Sequence, residues 1–328
     1  MKSIDVHHHA VPPFYVEALA QQGIQASGGV PFPSWSPQMS LNVMDFNHIT
    51  TAVLSLSTPG TYFGDANFAV NLARNVNEYL AATVQSNPAR FGFFATLPAP
   101  LVNEAAIEAE YALDVLNADG VCLLASANGV FLGDPGQDEI LRVLDDRGAT
   151  VFIHPNQHPT SSELGLSVPS FAVEFVVDTT RAVSNMVWNG TFDKFPNIKW
   201  ILAHAGGTIP FIAWRLSLLD LKFPELLRRS PGGTMKYLKR LYYDTALSPT
   251  ANSLFPIINQ FGLDQLVLGT DFPFAPAPLI PIELIEQNLA PGKVPGLTQA
   301  DLGKIHLKAY DLFPRLKRLN INNSAMTM

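Results

Sequence analysis

A (β/α)8 barrel, in which eight parallel strands each precede a helix, is the fold class this 328-residue chain predicts, on three observations. Short runs rich in β-branched and aromatic residues recur eight times, at 4–9, 51–57, 91–97, 120–124, 150–154, 199–204, 241–245 and 265–271. Between them lie segments of helical periodicity, at 66–86, 103–117, 138–147 and 209–221, each long enough to cross over one face of a parallel sheet. No glycine-rich phosphate loop follows the first run, which weakens the alternative of a doubly wound open sheet. One barrel domain over 1–328 is expected, with an insertion at about 12–40 and a closing helix and tail at about 297–328.

Composition bounds the function. With 47% hydrophobic and 15% charged residues the chain can bury a large core and is not disordered. A net charge of −7 and scattered basic residues argue against nucleic acid or an anionic membrane as partner. The single cysteine, Cys122, sits in the apolar run Val121-Cys122-Leu123-Leu124, so it reads as a buried structural thiol and no disulfide can form within the chain. No stretch approaches the roughly 18 unbroken apolar residues of a membrane span, and the N-terminus lacks the regions of a signal peptide. A soluble, cytoplasmic protein is expected.

The first run ends in Asp5-Val6-His7-His8-His9. Residues i and i+2 of a strand point the same way, so His7 and His9 can reach one metal ion while His8 faces the other side. A tag remnant would not be set within an apolar strand after Ile4 and Val6. The following 12–38 carries five prolines and the aromatics Phe14, Tyr15, Phe32 and Trp35, and is expected to fold over the barrel mouth. The fourth run closes on Leu123-Leu124-Ala125, without a lysine or glutamate to bridge a second ion. The fifth ends at His154 in Val-Phe-Ile-His-Pro, the sixth at His204 in Ile-Leu-Ala-His-Ala-Gly-Gly, the seventh at Asp244, and the eighth at Asp271 in Gly-Thr-Asp-Phe-Pro-Phe. In the tail, 305–319 is expected as one closing helix and 320–328 as frayed.

Barrel active sites lie at the C-terminal ends of the strands. Four of the eight histidines and one aspartate therefore converge on one rim, where unpaired polar groups would cost stability unless something coordinates them. Imidazole with carboxylate suits a divalent ion, Zn2+ first and Mn2+ as the alternative, with one position open for chemistry. One ion held by His7, His9, His154 and Asp271 leaves His204 as the general acid/base. His158, four residues after His154, either touches substrate or is a solvated loop histidine. Asp244 either orients a ligand histidine or caps a turn. Phe272, Phe274, Trp35 and Trp188 either wall an apolar pocket or are plain core. His48 and His306 are given no role.

The chain resembles the amidohydrolase superfamily, and within it the branch related to 2-amino-3-carboxymuconate 6-semialdehyde decarboxylase (ACMSD). The resemblance is carried by Ile4-Asp5-Val6-His7-His8-His9, by Phe-Ile-His-Pro around His154, by the stretch from Phe192 through His204-Ala205-Gly206-Gly207 to Arg215, and by Gly269-Thr270-Asp271-Phe272-Pro273-Phe274. It implies a metal-dependent, non-oxidative decarboxylase of an aromatic or unsaturated acid, with the same four ligands, with His204 as acid/base and with Asp271 in the catalytic group. Trp35 and the turn Leu56-Ser57-Thr58-Pro59-Gly60 look most like the 6-methylsalicylate decarboxylase group. The resemblance also implies that Arg215 reaches a substrate carboxylate in the neighbouring subunit of a homodimer; an ordinary helix-surface arginine is the other reading. The arginine with which the naming decarboxylase of that branch holds a second carboxylate has no counterpart in 31–47, which contains neither arginine nor lysine. A monocarboxylated phenol such as 6-methylsalicylate is thus the expected substrate, bound near Trp35, His158 and Phe274, with CO2 and a phenol as products. A lactonase, an amidase or a hydratase of an unsaturated acid could use the same constellation.

Overall fold

The computed structural model describes residues 2–283, 294–295 and 297–325. Its eight main strands are β1 Ile4–His9, β2 Thr51–Ser55, β3 Phe91–Thr96, β4 Gly120–Leu124, β5 Thr150–His154, β6 Lys199–Leu202, β7 Tyr242–Asp244 and β8 Leu266–Val267. They pair in parallel in chain order. The ring is drawn together between β8 and β1 by the Val6 amide donating to the Leu268 carbonyl at 2.9 Å and the Asp271 amide to the His7 carbonyl at 2.8 Å. Helices cover the outside: α1 Pro13–Gln21, α2 Pro37–Phe46, α3 Ala66–Ser86, α4 Val102–Asp114, α5 Asp138–Asp146, α6 Glu174–Trp188, α7 Ile209–Lys222, α8 Ala251–Gln260, α9 Gln299–Lys308 and α10 Pro314–Ala325.

Two apolar layers follow from strand alternation. Inward-facing Ile4, Val6, Val53, Phe94, Phe152, Ile201 and Val267 fill the barrel together with Phe313 and Leu316 of the C-terminal segment. Residues on the outer face of the strands pack against the helices in a second, larger cluster. The C-terminal segment is pinned by Arg315, whose Nε and Nη2 donate to the two oxygens of Asp119 at 2.8 and 2.6 Å. Because Asp119 immediately precedes β4, this plug closes the N-terminal end of the barrel and leaves the C-terminal end for the site. Cys122 is buried in the same interior, which pushes its thiol pKa up. No helix among the described residues is long and apolar enough to cross a membrane.

Three expectations are corrected. The sixth and eighth strands stop at Leu202 and Val267, short of His204 and Asp271; His204, Ala205 and Asp271 have φ of 52°, 55° and 60°, and a left-handed residue cannot continue a pleat, so none of the three lies on a strand. The closing helix is divided into α9 and α10 by a 3-10 turn at Ala309–Asp311, since Pro314 offers no amide hydrogen and restrains Phe313 before it. The chain is helical through Ala325 rather than frayed from 320, and 326–328 lie outside the described residues. The insertion is less irregular than its prolines suggest. Pro13 and Pro37 occupy the first turns of α1 and α2, where a missing amide hydrogen costs nothing, and the Ser36 hydroxyl caps α2 by accepting from the Met39 amide. Between these helices a short hairpin pairs Ala26–Ser27 with Val30–Pro31 over the barrel mouth.

Candidate metal centre and cavity

His7, His9, His154 and Asp271 are all buried and present ligand atoms within 4.8 Å of one another. Each imidazole has its Nδ1 engaged. His7 Nδ1 donates to Asp244 Oδ2 at 2.6 Å, His9 Nδ1 lies 2.9 Å from Ser55 Oγ and 3.3 Å from the Ser55 carbonyl, and His154 Nδ1 donates to the Pro155 carbonyl at 2.8 Å. The anchoring leaves Nε2 of His7 and of His9 to face inward, 2.9 Å apart, with Asp271 Oδ1 3.3 and 3.0 Å away. Two imidazole lone pairs at that separation repel unless a proton or cation lies between them, so the donor set fits a divalent ion.

The electrostatics agree. Burial pulls the His7 pKa down, but the Asp244 and Asp271 carboxylates outweigh it and raise the value to about 10. Burial, with the charge on His7, lowers His9, and burial with its imidazole neighbours holds His154 well below its ordinary value. Burial alone would raise Asp271, yet the charge on His7 and hydrogen bonds from His204, His7 and His9 hold it well below the usual carboxylate range. The shifts of His7 and Asp271 are thus mutual, each group favouring the charged form of the other.

His204 lies beside this group. Its Nε2 is 3.4 Å from Asp271 Oδ2, its Nδ1 is buried without a hydrogen-bond partner among the described residues, and its ring centroid is 4.9 Å from that of His7. The left-handed turn at His204 and Ala205 aims the ring, and Asp244 Oδ1 accepts from the His204 amide at 2.8 Å. One carboxylate, Asp244, therefore holds both the His7 ring and the His204 backbone.

Sequence reasoning missed Asp5. Period-two alternation would turn it inward with His7 and His9, but β1 shifts register between Asp5 and His8. Asp5 instead accepts from His8 Nδ1 at 2.9 Å and from the amide and hydroxyl of Thr270 at 3.1 and 2.6 Å, tying β1 to the segment that carries Asp271. His8 faces the helical layer, with Nε2 2.8 Å from Ser40 Oγ on α2. The signal for Asp5 was an acid two residues ahead of the first ligand, which spacing alone assigns to no role.

A cavity of about 560 Å³ opens above the cluster, and His154, His204 and Asp271 belong to its floor. Phe175, Val176, Phe274 and Leu279 form apolar wall, while Ser27, Ser57 and Thr58 form a polar side; the described lining includes no lysine or arginine. Phe274 lines the cavity, its ring centroid 5.6 Å from that of His9. Two other expectations are corrected. Trp35 is buried behind His8 and donates its indole N–H to Ser40 Oγ at 2.8 Å, because its polar edge finds a partner in the packing between α2 and β1. His158 stacks on Phe131 at 4.9 Å and bonds to Thr160, capping a 3-10 turn outside the cavity. Phe272 and Trp188 are likewise packing residues, against His8 and Phe223. Arg215 is exposed on α7, outside the cavity lining of its own chain.

Comparison with known proteins places this geometry among relatives. The family model described as Amidohydrolase matches residues 4–314. A 6-methylsalicylic acid decarboxylase of Penicillium expansum is 34% identical over 325 residues, 97% of this chain and 98% of that one. A decarboxylase of Aspergillus niger is 36% identical over 296 residues, 85% of this chain and 79% of that one. The crystal structure of a 5-carboxyvanillate decarboxylase of Novosphingobium aromaticivorans, complexed with manganese and 4-hydroxy-3-methoxy-5-nitrobenzoic acid, matches with a TM-score of 0.82 at 20% identity, over 95% of this chain and 96% of that one.

Proposed function

The chain belongs to the amidohydrolase family, and on that premise we propose that it is a metal-dependent, non-oxidative decarboxylase converting an aromatic 2-hydroxy acid such as 6-methylsalicylate into a phenol and CO2. The observation that carries this reading is a largely apolar cavity without a described basic side chain, opening onto four converging ligands and one unliganded imidazole. A monoanionic ring acid fits such a space, because its only charge can meet the metal centre while its ring meets Phe175 and Phe274.

His7, His9, His154 and Asp271 would hold the ion, with Zn2+ expected from the donor set and Mn2+, present in the 5-carboxyvanillate decarboxylase structure, as the alternative. When bound, the ion supplies positive charge that orients the carboxylate and neighbouring phenol oxygen and offsets charge building on them. His204 delivers a proton to the ring carbon that bears the carboxylate. A C–H bond forms and aromaticity is broken. The C–C bond then cleaves, its electron pair restores the ring, and CO2 departs; His204 regains its proton from solvent. Asp244 keeps His204 and His7 in register, and the apolar wall limits water near the reacting carbon.

Salicylates, dihydroxybenzoates and small lactones screened with mass-spectrometric product detection test the reading. 6-Methylsalicylate should yield 3-methylphenol and CO2 without an organic cofactor, and the analogue lacking the 2-hydroxyl should not react, having lost one oxygen for the metal and the donor that makes carbon protonation feasible. Equal turnover of benzoate and salicylate would refute the chelating role, and lactone hydrolysis without decarboxylation would move the protein to a hydrolase.

The homodimer is part of the same proposal. Phe211, Trp214 and Leu221 are 88%, 72% and 78% exposed on α7, the helix that carries Arg215. Apolar exposure on that scale supports an interface there. Sedimentation velocity should give a dimer that Trp214→Glu shifts towards monomer; a monomeric wild type removes the idea.

A further inference from the structure

The cavity is much larger than a methylated ring requires. An engineered cavity of about 150 Å³ accommodates benzene, whereas this one measures about 560 Å³. Besides the residues beside the ligand cluster, its lining includes Phe171 from the loop before α6, Leu247 after β7 and Leu279 after β8. Phe171 and Leu247 are each 40% exposed, so apolar surface remains open to solvent beside the hairpin at the opening. Leu247 is also held at φ 50°, a left-handed conformation that a leucine adopts only at a cost in free energy. A glycine or asparagine would make that turn without strain, so the leucine side chain at the mouth calls for a role in binding.

We infer that this site takes a 2-hydroxybenzoate bearing an apolar chain longer than a methyl group, which runs from the ring along Phe171, Leu247 and Leu279 to the mouth. The inference rests on the decarboxylase reading for its ring chemistry and adds the chain as the determinant of specificity. A charged or strongly polar substituent is disfavoured by the same wall, which would desolvate it without a partner.

Two series test it on the metal-loaded enzyme: kcat/KM for 6-methyl-, 6-propyl- and 6-pentylsalicylate, and calorimetric affinity for 3-methyl-, 3-propyl- and 3-pentylphenol. Both should rise with chain length by about fourfold per methylene, the ratio for transferring that group out of water. In Leu247→Gly, which relieves the strained turn while removing the wall, the increment should fall below about twofold, a slope readable whatever the absolute rate of the variant. Turnover of 6-methylsalicylate with flat or falling series would overturn the chain subsite and leave the decarboxylase reading intact. Absence of turnover for every salicylate would overturn that reading and the ring assignment, while the phenol affinities would still decide whether the wall binds a chain.

Discussion

Replacing His204 with alanine is expected to lower kcat by about 10²–10⁴-fold, the usual contribution of a positioned general acid/base, while the ion remains bound. The expectation follows from where the imidazole lies. Its Nε2 faces Asp271 Oδ2 at 3.4 Å at the cavity floor, yet it stands outside the group of four whose ligand atoms lie within 4.8 Å of one another. Its buried Nδ1 has no hydrogen-bond partner among the described residues, whereas the rings of His7, His9 and His154 are each anchored through Nδ1. Steady-state kinetics and elemental analysis on one preparation separate the two effects. A variant that loses its ion along with its activity would make His204 a ligand and require a different proton donor.

The opposite pattern is expected for Asp271→Ala, which should lose the ion and with it turnover. Among the described residues, the Asp271 carboxylate is the one anion that contacts both His7 and His9 through Nε2. Without it, the three imidazoles lose the carboxylate that completes the donor set, and Asp244 is bonded through the far nitrogen of His7. Wild-type protein should carry about one divalent ion per chain, because β4 ends on Leu124, followed by Ala125, and offers no bridging lysine or glutamate. Two tightly held ions would refute the mononuclear centre, and an Asp271→Ala variant that keeps its metal would exchange the roles of Asp271 and His204.

Much of this architecture was legible in the chain. The 66–86 segment, with its regular apolar spacing, is helix α3 over Ala66–Ser86, and the runs 4–9, 120–124 and 150–154 are strands with the expected limits. The convergence of His7, His9, His154, His204 and Asp271 on one rim was expected from the strand ends, and ligand atoms of His7, His9, His154 and Asp271 lie within 4.8 Å of one another. Trp35 and His158 illustrate the opposite case. Both lie close in sequence to residues of the rim, yet one turns into the packing behind His8 and the other onto Phe131, because each finds a partner there for its polar edge.

What the sequence determined by itself is therefore the part set by short-range periodicity: strands, helices, their alternation, and which end of the barrel gathers the imidazoles. Only the tertiary structure decided how those groups are aimed. The Asp244–His7 bond spans 237 residues and the Asp5–Thr270 bond 265, separations at which no spacing rule applies. The left-handed backbone of His204 and Asp271 breaks the very alternation from which the strands were read. Such conformations persist because packing and long-range hydrogen bonds outweigh local preference, and those forces exist only once the barrel has closed.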